Sequence, residues 1–325
     1  MLVCRYFESV RRSLFLAVLV VLALPASANA VLLGVVGDKS RFRSQTGQVS
    51  DIGMKFTTWN THLRYPAGMD RFFTENTPIP MVTLHTKNTY GKEAITPRGI
   101  ARGYGDRYLV AISKAANRFG RDSYIRPLAE MNGHWNYYCA YNSNGSYRGS
   151  AHSTGNFRRA FRRIYLIMKG GTRADINARL ANIGMPPLRR VSGDIPENPF
   201  VKVLWNPQGY GSPDLAKNSA NSYYPGDRYV DVVANDLYDI RFRAAWDANL
   251  ALFRSHPSKP YAIGEWGLWG IDDPAFVRHM AQFVSSHPRV EAIVYYKSER
   301  GTIWDLGSKP KSLAAYKRYI VPLGG

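Results

Sequence analysis

The stretch Tyr124-Ile-Arg126-Pro-Leu-Ala-Glu130-Met-Asn132-Gly-His-Trp135 decides how this chain is read. It opens as an apolar, strand-like run. It closes in a carboxylate, an amide, a glycine and an indole. A strand that delivers an acid at its C-terminal tip, followed by a polar aromatic loop, is how a (β/α)8 barrel builds a site. A second stretch, Tyr261-Ala-Ile-Gly-Glu265-Trp266-Gly267, repeats the pattern. A charge that ends an apolar strand without a task would be costly. Two glutamates on two strand tips, each beside an indole, are what retaining glycoside hydrolysis needs, at a separation of about 5–5.5 Å.

Working outward, eight short apolar runs rich in β-branched residues are found, as buried parallel strands should be. They cover residues 31–37, 54–59, 79–85, 124–130, 201–206, 230–236, 261–265 and 291–296. Helical periodicity falls between them at 100–119, 156–168, 243–255 and 274–286, and after the last strand at 312–319. Pro274 suits a first helical turn, with Asp272 or Asp273 before it as a cap. The connections after the first and fifth strands read as weak helices or loops, and residues 184–199 as a long loop. Alternating strand and helix argues for a parallel sheet. A doubly wound open sheet would place a G-x-G-x-x-G turn after an early strand. Gly34-Val-Val-Gly37 lacks that spacing. The fold class expected is therefore α/β, a single-domain (β/α)8 barrel over residues 31–325.

Residues 1–30 stand apart. Arg5, Arg11 and Arg12 give a basic start, an apolar run follows, and Ala28-Asn29-Ala30 fits a small-residue cleavage site. A cleaved signal peptide is expected, hence a secreted or periplasmic protein with no stable membrane span after cleavage. Cys4 leaves with it, so Cys139 has no partner for an internal disulfide. A packed thiol or a reactive one are both open for Cys139. No Cys/His cluster has zinc-ligand spacing, so no metal is expected. The formal charge is +19, from 43 basic and 24 acidic residues. Such a surface attracts polyanions. With no nucleic-acid motif on an exported chain, nucleic acid is not the expected partner.

The motifs carry a resemblance. Arg126 to Trp135 resembles the acid/base segment of glycoside hydrolase family 26, which contains β-mannanases and relatives acting on mixed-linkage β-glucan or β-xylan. Val203-Leu-Trp205-Asn206-Pro207, Asn235-Asp236-Leu237-Tyr238, Gly264-Glu265-Trp266-Gly267 and Tyr295-Tyr296-Lys297 with Trp304-Asp305 are similar to later segments of that family, in the same order. The resemblance implies a retaining mechanism with Glu130 as acid/base and Glu265 as nucleophile. It also implies that Tyr238 lies beside the nucleophile. One departure stands out: the family usually has His before its acid/base glutamate, and here that residue is Ala129.

The substrate-binding residues expected are Arg126, Asn132, Trp135, His85, Trp59, Trp205, Tyr238, Trp266, Tyr296 and Trp304. The rings among them fall at or just past strand ends, where pyranose faces stack. The expected function is a retaining endo-β-glycosidase acting on a polysaccharide of the β-mannan or mixed-linkage β-glucan type, as a monomer and without metal or organic cofactor. Two alternatives stay open. One is a hydrolase of an acidic exopolysaccharide made by the producing cell. The other is a non-catalytic polysaccharide-binding barrel.

Overall fold

The structure, a computed structural model, describes residues 30–59, 68–74 and 78–325. The expected signal segment lies outside these residues except for Ala30. Eight strands form a closed barrel in sequence order. They are β1 (Leu32–Val36), β2 (Ile52–Thr57), β3 (Ile79–Leu84), β4 (Ser123–Pro127), β5 (Val201–Trp205), β6 (Val232–Asp239), β7 (Tyr261–Leu268) and β8 (Val290–Tyr295). Every neighbouring pair is parallel, and β1 pairs with β8 to close the ring. The expected (β/α)8 class is borne out.

The helices are α1 (Lys39–Thr46), α2 (Arg71–Thr74), α3 (Pro97–Ala101), α4 (Asp106–Phe119), α5 (Thr154–Lys169), α6 (Arg173–Ala181), α7 (Trp246–Ser255), α8 (Pro274–Ser286) and α9 (Pro310–Ala315). Helix α8 has the bounds read from sequence, with Pro274 in its first turn and the Asp273 carboxylate capping Ala275 N–H. Residues 100–119, read as one helix, form two. Gly103, at φ 84°, ends α3, and its N–H returns to the Ile100 carbonyl. A side chain there would be strained and would strike Arg163 and Asp106. The break buries Asp106, which accepts from Arg163 Nε at 2.7 Å and Nη2 at 2.6 Å. After β1 the chain forms α1, whereas after β5 it makes only short 3-10 turns. Helix α6 was not anticipated, because its arginines and alanines leave only a weak apolar face.

Strand alternation sorts side chains into two cores. Met54, Met81, Tyr124, Leu204, Val232, Ala262 and Val294 pack with their neighbours inside the barrel. Ile125, Val203, Trp205, Val233, Ile263 and Tyr295 face outward against the helices. Strand β7 breaks the alternation. Asn235 pairs with Ile263 but Asp236 pairs with Glu265, so Gly264 is an extra residue in β7. This bulge turns Glu265 inward and Trp266 outward. Only glycine fits there, since a Cβ at 264 would meet the Asn206 amide oxygen. The site's second carboxylate is therefore aimed by one glycine.

Candidate active site

Above the inner core, Arg126 follows Tyr124 on the inward face of β4. It is 1% exposed. Its Nε donates to Asn206 Oδ1 at 2.7 Å. Its Nη1 donates to Glu265 Oε1 at 2.7 Å and to Thr83 Oγ1 at 3.3 Å, and its Nη2 donates to Asp236. Burial alone would lower the guanidinium pKa. Asp236 and Glu265 more than offset this and raise it. Arg126 was expected to bind substrate, but it lies sealed beneath the carboxylates with its donors committed.

Glu265 receives that Arg126 bond on one oxygen and the Tyr238 hydroxyl on the other, at 2.6 Å. Glu130 meets different surroundings. Its Oε2 accepts from Trp135 Nε1 at 2.7 Å, and its Oε1 accepts from Gln208 Nε2. Burial, then repulsion from Glu265, pushes its pKa up against the pull of Trp135, Arg126 and Gln208. Its backbone is unusual too. Leu128 and Glu130 both sit at φ 53°, a conformation that costs on the order of 1–3 kcal/mol for a non-glycine residue. The Glu130 N–H is pinned to the Asn206 carbonyl at 2.7 Å, which holds the strained tip in place.

Gln208 was not singled out from sequence, although it follows Trp205-Asn206-Pro207 at the β5 tip. Asn132 explains its placement. The Asn132 amide accepts from Gln208 N–H at 2.9 Å and donates to the Gln208 and Tyr210 carbonyls at 2.9 and 3.2 Å. Asn132 itself is fully buried. Expected to contact substrate, it ties the β4 and β5 loops together below the surface.

Glu130 and Glu265 line one cavity of about 550 Å3, together with Trp135, Tyr238, Tyr296 and Trp304. Ring contacts run through its wall. Tyr238 and Tyr296 meet at 5.7 Å, Tyr296 and Trp304 at 5.0 Å, and Trp304 and Trp269 at 5.2 Å, all edge to face. Trp135 is 47% exposed and Trp269 is 43% exposed. Trp269 and Tyr210 belong to this wall but were missed, though Trp269 stands only four residues past Glu265. Burial, then Glu265, pushes the Tyr296 hydroxyl up to about 12.

Three expected sugar platforms are buried and lie outside the carboxylate cavity. Trp205 and Trp266 face outward because their neighbours Asn206 and Glu265 take the inward positions. Trp205 packs edge-on against Tyr224 at 4.8 Å, and Trp266 stacks on Tyr316 at 5.6 Å. Trp59, just past β2, is buried on Tyr108 of α4 at 4.4 Å. None of the three reaches the carboxylate cavity. His85 lies at the end of β3 outside that cavity, stacked on Phe56 at 5.6 Å. Burial, then Arg126 and Lys87, lowers its pKa to about 4, so it is neutral. Tyr138 bridges His85 Nδ1, at 3.3 Å, and the Ala129 carbonyl, at 2.7 Å. Cys139 is free and buried, with its thiol pushed up mainly by burial. Among the described residues, no group of three or more His, Cys, Asp or Glu is placed to hold a metal ion, and no helix is long and apolar enough to cross a membrane.

The closed parallel barrel has counterparts among known proteins. No family model matches the chain. Endoglucanase H of Acetivibrio thermocellus is 22% identical over 298 residues, covering 86% of this chain. The chain spans only 28% of the length of that relative. Among solved structures, a Bacillus subtilis mannanase superposes with a TM-score of 0.58 at 18% identity, covering 90% of this chain and 86% of its own. A family 26 β-mannanase of Bacteroides ovatus gives 0.53 at 15% identity, covering 89% and 88%. A family 26 protein of a Muricauda species gives 0.55 at 16% identity, covering 90% and 91%. The fold is thus the one found in family 26, the family that the sequence motifs resemble.

Proposed function

We propose that the chain is a retaining endo-β-glycosidase of the family 26 type, hydrolysing a β-linked polysaccharide at the barrel mouth. One observation carries the reading: two glutamates share a ring-lined cavity in opposite settings. Glu130 has a raised pKa, as a general acid working near neutrality requires. Glu265 accepts from Arg126 and Tyr238, donors that suit an ionised nucleophile. In this reading Glu130 protonates the glycosidic oxygen while Glu265 attacks the anomeric carbon. The glycosyl-enzyme is then hydrolysed by a water that Glu130 deprotonates. Trp135, Tyr238, Tyr296 and Trp304 are the expected sugar-binding wall, joined by Trp269. Similarity to proteins named mannanase and endoglucanase supports a β-mannan or β-glucan backbone. Secretion or periplasmic location rests on the basic-apolar start of the sequence.

The two roles are separable by experiment. Glu265→Ala should abolish turnover of every substrate, since no nucleophile remains. Glu130→Ala should nearly stop hydrolysis of natural glycosides, whose leaving oxygen needs a proton. An aryl glycoside with an acidic phenol leaves unaided, so its first step should persist, and azide should restore turnover with retained configuration. Equal loss on good and poor leaving groups, with no azide effect, would remove Glu130 from the acid/base role. Absence of turnover on every polysaccharide tried would favour a non-catalytic barrel.

A further inference from the structure

We propose that an arginine-lined track beside the mouth holds the acidic groups of a polysaccharide chain, so that the polymer is anionic. The identity of the polymer as substrate rests on the glycosidase reading; the binding itself does not. Two cavities form the track. The first, about 390 Å3, lies at the end of β2 and the start of α3 and is lined by Arg98, Arg102, Tyr104 and Glu93. The second, about 440 Å3, lies at the start of α5 and is lined by Arg158, Arg159 and Arg162 with Ser153 and Asn156. Helices of a (β/α)8 barrel begin at the strand C-termini, so both cavities open at the end that holds Glu130 and Glu265.

Ser150 joins the two cavities. Arg98 Nη1 donates to its hydroxyl at 3.3 Å, and Asn156 Nδ2 donates to its carbonyl at 2.7 Å. Between them the two linings carry five arginines, on or just past a packed pair of helices, α3 on α5. A sixth, Arg189, lies over the Tyr104 ring at 4.8 Å. The one acid in the lining, Glu93, is engaged by His152 at 3.0 Å. Arg162 and Arg159 each spend a donor on a carbonyl, of Pro225 and Gly184. The Arg102 and Arg158 guanidinium groups have no hydrogen-bond or ion-pair partner among the described residues. A planar guanidinium matches a carboxylate in two bonds, and free ones in series match carboxylates repeated along a chain. Single-stranded nucleic acid would need exposed rings for base stacking. Tyr104, 59% exposed, is the one exposed ring in the two linings, whereas base stacking needs several in succession, and this favours the uronate-bearing chain.

The test uses the full chain and the double variant Arg102→Ala/Arg158→Ala, whose lost guanidinium groups make no hydrogen bond or ion pair among the described residues. Retardation in gels containing polygalacturonate, and in gels containing neutral galactomannan, is read at low and raised salt. The protein should be slowed by polygalacturonate, less so as salt rises. The double variant should bind it about tenfold more weakly. Arg102→Lys/Arg158→Lys should recover part of that loss, while hydrolysis of a short neutral aryl glycoside stays unchanged. Unaltered retardation in the double alanine variant would overturn the track while leaving the glycosidase reading intact. So would single-stranded DNA binding more tightly than polygalacturonate with the same arginine dependence. Arginine-dependent retardation without hydrolysis of any substrate would support the track and remove the glycosidase reading.

Discussion

Glu130 and Glu265 are the same residue type made unlike by their neighbours. Glu265 faces a cation and a phenol; Glu130 faces an indole and an amide. Both Glu130 donors favour the carboxylate form and so hold down a pKa that burial raises. Removing one donor should raise it further. Gln208→Ala should therefore shift the basic limb of the kcat/KM profile upward by about one pH unit. Trp135→Phe should move it the same way, and kcat should fall in both because the carboxyl loses its orientation. A basic limb that stays in place in both variants would show that these donors do not tune Glu130. The two acids were legible because a charge closing an apolar strand is rare and costly. Direction was not legible. Arg126, Asn132, Trp205 and Trp266 stand in the same short motifs, yet the strand pleat sends them inward, below or behind the site. Gln208 carries no pattern, and only the loop tie from Asn132 selects it.

Strand β6 shows what positions the outer wall of the cavity. It ends in Asp239, whose carbonyl accepts from Trp269 N–H at 2.9 Å. The Asp239 carboxyl is buried and faces Asp273 at the α8 cap. Burial, then Asp273, raises its pKa to about 6. An unfolded aspartate titrates near 3.9. A raised folded value means that its favourable contribution is fully present below about pH 3.9 and is lost as pH rises through about 6. Asp239→Asn removes the buried charge. Its Tm should exceed that of the parent by about 2–4 °C at neutral pH, and the two should converge near pH 4. A variant less stable than the parent at neutral pH would show that the carboxylate is stabilising after all. At this scale the strands were legible to within a few residues, because buried parallel strands read as apolar runs. Two features were not. The α3–α4 break depends on Gly103 and on the burial of Asp106 by Arg163, a tertiary ion pair that periodicity does not report. The β7 bulge depends on close approach between Gly264 and Asn206, which no local pattern announces.

For the whole molecule, Arg126 is the centre about which the upper barrel is assembled. From β4 its bonds reach Thr83 on β3, Asn206 past β5, Asp236 on β6 and Glu265 on β7. One guanidinium thus serves two buried carboxylates directly, with Glu130 close enough to feel its charge. The alternation of eight strands with helices made the closed barrel legible from sequence, but not this shared cation. Replacing it should act on the barrel as a unit. Arg126→Met leaves the carboxylates buried without their counter-ion, and uncompensated buried charge costs about 3–5 kcal/mol. Asp236 and Glu130 already have raised pKa values, dominated by burial and opposed by Arg126, so losing Arg126 raises them further. Raised folded values put the lost stability at neutral and higher pH. The deficit should shrink as pH falls and those carboxyls take up protons. Denaturant unfolding of Arg126→Met and the parent at about pH 8 and about pH 5 measures this directly. The gap between midpoints should be large at the higher pH and clearly smaller at the lower. Tryptophan fluorescence and far-ultraviolet circular dichroism should give the same midpoint, because the strands joined by Arg126 lose their tie together. A gap independent of pH would mean that Arg126 stabilises by packing alone. Midpoints that differ between the two probes would mean that the site unfolds apart from the barrel.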